Sequence, residues 1–122
     1  MYFNGASRTI PREGLVAGVE IVLILPRNHV ILRAFSLTEP CTNNVAEYNA
    51  LLIGLQLAHR LGIRKLQAYG NSELVVNQLR GEYEVRSDDL IPYFDFALQM
   101  AEQFEGLYIG HVPRQDNTTR MP

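Results

Sequence analysis

The sequence holds a single cysteine, Cys41, which excludes a disulfide within the chain. A catalytic thiol would want a base nearby, and none is evident in sequence. Cys41 therefore reads as a small apolar side chain, buried or half-buried. No basic segment followed by an apolar stretch opens the chain, so the expected setting is intracellular, cytoplasmic or nuclear, and not secreted. Outside a secretory route the acceptor pattern Asn117-Thr118-Thr119 carries little meaning. No apolar run reaches the roughly 18 residues that a membrane span needs. There is no glycine-rich phosphate loop, internal repeat, low-complexity tract or linker. Charge of one sign is nowhere blocked together. The arginines are scattered, and the formal net charge is -2 with a pI near 5.9. That balance excludes a strong non-specific grip on nucleic acid, which runs on phosphate neutralisation. Any nucleic-acid role would need a local patch, metal ions, or hydrogen bonding in a groove.

What is present is the profile of one globular domain over residues 1–122, with 47% hydrophobic and 20% charged residues. Residues 1–7 read as a strand, and 8–14 (RTIPREG) as a turn, from Pro11 and Gly14. Residues 16–25 (VAGVEIVLIL) are branched and apolar and read as a buried strand. After the turn Pro26–His29 comes a third strand. Val30, Leu32, Ala34 and Ser36 alternate there with Ile31, Arg33, Phe35 and Leu37. Three strands joined by short turns make an antiparallel meander.

A long helix follows. Asn43-Asn44 are expected N-caps, Tyr48, Leu51, Leu52, Leu55 and Ala58 recur at helical spacing, and Gly62 ends it. Apolar residues occupy much of its girth, so it should be largely buried. Residues 65–72 form a fourth strand breaking at Gly70. Ser72 caps a short helix, ELVVNQL, that stops by Gly81. Asp88-Asp89 should open another helix, with Pro92 in its first turn and Gly106 at its end. Residues 107–113 make a fifth strand. The order βββαβααβ implies crossovers and a mixed five-stranded sheet with helices on its faces. His29 and His59 are expected in solvent, His111 at the sheet rim, and Tyr93, Phe94, Phe96 and Phe104 in core or rim packing.

Four stretches carry more than periodicity: YFNGAS in the first strand, TNNVAEYNALLIGL in the long helix, YGNSELVVNQL at the fourth strand, and HVPRQDN after the fifth. In this order they resemble the type 1 ribonuclease H family, in the version found in plant LTR-retrotransposon polyproteins. The resemblance spans essentially the whole chain. It implies a ribonuclease H-like α/β fold, a sheet ordered 3-2-1-4-5, with three antiparallel strands and then two parallel ones. It also implies hydrolysis of RNA in RNA–DNA hybrids by two Mg²⁺ or Mn²⁺ ions, roughly 4 Å apart, clamping the attacking and leaving oxygens.

By that resemblance the metal-holding positions are Asn4, Glu47, Asn71 and Met121. Only Glu47 keeps the carboxylate that Mg²⁺ prefers. Asn4 and Asn71 stand where the family has aspartate. After HVPRxxN the family continues with two residues and then Ala-Asp, whereas here Arg120-Met121 follow Thr118-Thr119. The family's final helix is expected to be truncated or missing. An amide oxygen neither bridges two cations nor offsets their charge, so weak or absent metal binding and severely impaired cleavage are expected. The resemblance also implies nucleic-acid contacts from Gly5, Ala6, Ser7, Asn43, Asn44 and Ser72, and flanking polyprotein domains. Glu47, three residues after Asn44, could instead close a capping box, and Asn43, Asn44 and Ser72 could be plain caps. Glu20 stands where the family has glycine, and a charge in an apolar strand needs a solvent-facing or edge position. Asp to Asn, twice, and Gly to Glu each arise by one G-to-A change, as cytosine deamination in a silenced mobile element would produce. Two other readings stay open: a working hybrid nuclease completed by Asp116, a partner or further residues, and a decayed domain that docks proteins.

Overall fold

The computed structural model describes residues 1–11, 14–37 and 41–113. Strands β1 (Tyr2–Ile10), β2 (Gly14–Ile24) and β3 (Val30–Leu37) form the expected meander, with a short 3₁₀ turn at Pro26–Asn28. Helix α1 (Asn43–Arg60) crosses to strand β4 (Lys65–Gly70). Helices α2 (Glu73–Leu79) and α3 (Ile91–Ala101) then lead to strand β5 (Gly106–His111). The sheet runs β3-β2-β1-β4-β5, with β1–β2 and β2–β3 antiparallel and β1–β4 and β4–β5 parallel.

Period-two alternation sorts the sheet into two faces. One carries Phe3, Val19, Ile21, Leu23, Leu66 and Ala68, all buried with Ala50, Leu51, Leu55 and Ala97 of the helices. Burying a side chain the size of Phe3 or Leu51 contributes roughly 1.5–3 kcal/mol. A second cluster, Val45, Tyr48, Val75 and Leu90, ties α1 to α2 and to the start of α3. The Tyr48 hydroxyl donates to Gln78 Oε1 at 2.7 Å inside it. The described helices all lie over this one face.

Several local expectations shift. The 8–14 turn is shorter than its composition suggests, because β1 and β2 stay paired as far as Ile10↔Gly14. The N-cap of α1 is Thr42, not the asparagines: its Oγ1 accepts from Val45 N–H at 3.2 Å. Asp88-Asp89 precede α3 without capping it, and Leu90 is its N-cap. That helix ends at Ala101, and Gly106 is already the first residue of β5. Gly62 does close α1, at φ 78°. Its N–H bonds to His59 O and that of Ile63 to Ala58 O, which satisfies the last carbonyls.

Candidate metal and nucleic-acid site

Strands β1 and β4 are paired at only two positions, Tyr2↔Tyr69 and Phe3↔Gly70. Beyond them the strands part, and the carboxylate of Glu47 fills the fork. Gly5 N–H donates to its Oε2 at 2.9 Å, Asn71 N–H to its Oε1 at 3.0 Å, and Ser72 N–H to the same oxygen at 3.4 Å. A carboxylate is acceptor-only, so it can serve several backbone donors that the missing ladder leaves unmatched. Glu47 is only 2% exposed. It is therefore not a capping-box residue: its side chain spans to two other elements.

Two glycines make that reach possible. A Cβ on Gly5 would lie 2.1 Å from the backbone of Ala46, so α1 and β1 touch main chain to main chain. A Cβ on Gly70 would lie 2.5 Å from the Phe3 ring and 2.7 Å from Glu47 Oε1. No rearrangement of a flexible tip would relieve the first of these.

The other expected residues gather around the fork. Asn4, Gly5, Ala6, Asn43, Asn44, Glu47, Asn71 and Ser72 line one cleft of about 240 Å³. Asn43 Oδ1 accepts from Ser7 N–H at 2.6 Å and from Ser7 Oγ at 3.1 Å, tying the start of α1 to β1. Ser72 Oγ caps α2 by accepting from Val75 N–H and donates to Asn44 Oδ1, each at 3.2 Å. Met121 and Asp116 lie outside the described residues, as does the region of the family's final helix. Two further groups lie near the site. His111 Nε2 lies 3.0 Å from the Asn71 carbonyl. Glu20 sits directly opposite Asn4 in the β1–β2 register. It is half-buried on an interior strand, so its position is groove-facing and not at a sheet edge. Counting the hairpin pairs would have placed it there, had the turn been drawn at its true length.

The donor chemistry sets what this cleft can hold. Two divalent cations bring four positive charges. The cleft offers one carboxylate, already engaged by backbone N–H groups, and the carboxamides of Asn4 and Asn71. Among the described residues no three His, Cys, Asp or Glu side chains converge on one point. The described residues do not fit a dinuclear centre.

Comparison with known proteins follows the same lines. The family model described as reverse transcriptase-like matches residues 8–119. The chain belongs to this family. Ribonuclease HI of Halobacterium salinarum is 34% identical to it over 116 residues, 95% of this chain. The chain spans 57% of the length of that relative. The crystal structure of RNase H1 from the same archaeon superposes with a TM-score of 0.85 at 33% identity, over 96% of this chain and 86% of that one. LC11-RNase H1, solved in complex with RNA/DNA hybrid, gives a TM-score of 0.83 at 28% identity, over 97% and 87%. The reverse transcriptase-like chain thus has the ribonuclease H fold, with the strand order its motifs implied.

Proposed function

We propose that this chain is a ribonuclease H-like domain of retrotransposon origin that has largely or wholly lost hybrid cleavage and retains RNA–DNA hybrid binding of modest affinity. One observation carries the loss of activity: the carboxamides of Asn4 and Asn71 flank a lone carboxylate, Glu47, whose oxygens already accept from Gly5, Asn71 and Ser72. Divalent metal would supply the nucleophile and neutralise the leaving group in an intact member of the family. Here Mg²⁺ or Mn²⁺ binding is weak or absent. Hybrid binding draws support from the fold shared with LC11-RNase H1, which was solved with RNA/DNA hybrid. It draws further support from the hydrogen-bonding lining at Ser7, Asn43, Asn44 and Ser72. Plant retrotransposon origin, flanking polyprotein domains and a cytoplasmic or nuclear setting belong to the same proposal and rest on the sequence motifs.

The test is cleavage of end-labelled hybrid in Mg²⁺ and in Mn²⁺, comparing the parent residues Asn4 and Asn71 with Asn4→Asp/Asn71→Asp in one shared Glu20→Gln background. We expect the form with the parent residues to be slower by a factor of at least about 100. Equal rates would show that Asp116, a partner or residues outside this sequence complete the site. A gel shift at low salt tests the binding half. Hybrid should be retained over single-stranded DNA, and no preference would point instead to a protein-docking role.

A further inference from the structure

A groove of about 610 Å³ adjoins the cleft and shares Asn4, Ala6 and Asn43 with it. Its floor is the sheet itself. Register places the side chains of Asn4, Glu20 and Ala34 in one row across β1, β2 and β3, on the same face. The next row holds Ala6, Gly18 and Ser36. Every residue lining this groove is neutral except Glu20. Glu20 is half-buried and has no ion pair among the described residues. A carboxylate in such a position keeps its charge uncompensated by a neighbour, and it faces whatever enters the groove.

We propose that Glu20 is an electrostatic gatekeeper of this groove, whose charge disfavours phosphodiester backbones there. The inference rests on the hybrid-binding reading and deepens it: the groove admits the nucleic acid, and Glu20 sets how weakly. Hydrogen bonding from Ser7, Ser36 and Asn43 could suit a sugar or base edge, but a phosphate passing over the floor meets a like charge. Groove walls of low dielectric make that repulsion larger than it would be in open water.

The experiment is fluorescence anisotropy of a labelled RNA–DNA hybrid titrated with the parent, Glu20→Gln and Glu20→Lys. Glu102→Gln serves as the control, since it makes the same change in net charge at an exposed residue of another region. Glutamine keeps the shape and removes only the charge. At low salt we expect Glu20→Gln to bind about 5-fold more tightly than the parent, Glu20→Lys more tightly still, and Glu102→Gln within about 1.5-fold of the parent. The gap should narrow at about 0.5 M salt without vanishing, because a half-buried charge is screened less than an exposed one. Parent binding with Glu20→Gln unchanged overturns the inference and leaves hybrid binding standing. Weaker binding by Glu20→Gln also overturns it, because Glu20 would then be accepting a hydrogen bond from the ligand. If no variant binds hybrid at any salt, the hybrid-binding reading falls and takes the inference with it. Circular dichroism of each variant verifies that it is folded.

Discussion

Glu47 is the residue on which the local structure turns. Its carboxylate accepts from backbone donors on both sides of the fork between β1 and β4, at 2.9 Å from Gly5 and 3.0 Å from Asn71. Glu47→Gln would keep the size but point an N–H toward at least one of those donors. Leaving a buried donor unmatched costs about 1–3 kcal/mol, more where the lost partner was charged. We expect Glu47→Gln to lower unfolding stability by about 2–4 kcal/mol in urea at pH 7, with no metal present. A loss below about 0.5 kcal/mol would mean that the carboxylate has no structural work in the fork. At this scale eight of the expected residues, Asn4, Gly5, Ala6, Asn43, Asn44, Glu47, Asn71 and Ser72, line one cleft, while Ser7 adjoins it through Asn43 and Met121 lies outside the described residues. The sequence did not reveal the partners of Glu47. Those are main-chain groups far away in the chain, and a side chain's reach to distant backbone leaves no local pattern. Burial pushes the Cys41 thiol up from its ordinary range, in keeping with an unreactive half-buried side chain.

Among the elements, the β1–β2 hairpin matters most. Its register sets Asn4 against Glu20, and side chains directly opposite in an antiparallel pair have Cβ atoms about 4.5–5.5 Å apart. A neutral residue at position 4 suits that pairing, and an aspartate would put two like charges together. Asn4→Asp alone should therefore destabilise the domain by about 0.5–1 kcal/mol, and in a Glu20→Gln background the penalty should vanish. Urea midpoints for the four proteins of that cycle measure the coupling. Additive effects would mean that the two side chains point apart. The hairpin is also where element boundaries were hardest to read. Arg8 and Thr9 have no apolar alternation to announce a strand, and Pro11 and Gly14 advertise a turn. Ladder hydrogen bonds nevertheless carry the strands on to Ile10↔Gly14. The same competition explains the cap of α1. Asn43 and Asn44 are good capping residues, but their oxygens serve Ser7 and Ser72, and Thr42 takes the cap.

For the whole molecule, the strand order 3-2-1-4-5 came from the family resemblance of the four motifs, while the meander and the crossovers were legible in tightly turned strands followed by alternating helices and strands. The placement of the described helices over one face was not, since each helix carries enough apolar surface to cover either side. Packing is uneven across that layer. Helix α1 buries nine of its residues, including Tyr48, Leu51 and Leu55, whereas Ala97 alone is buried in α3 and Ile91, Phe96 and Leu98 remain exposed. Local stability follows buried contact. Native-state hydrogen exchange should therefore show α3 amides opening well before those of α1, by about 2 kcal/mol or more. Equal protection would mean that α3 unfolds only with the whole domain.

The narrow slot between Gly5 and Gly70 has a historical implication. An element that no longer needs to cut RNA would still lose its shape if either glycine gained a side chain, or if the acid wedged between them were replaced. On the proposed loss of cleavage, carboxylates at positions 4 and 71 are dispensable to the fold. Copies drifting free of enzymatic selection would hold on to the glutamate and its two glycine neighbours for the sake of folding, so survival of that acid in a decayed copy is no testimony to catalysis.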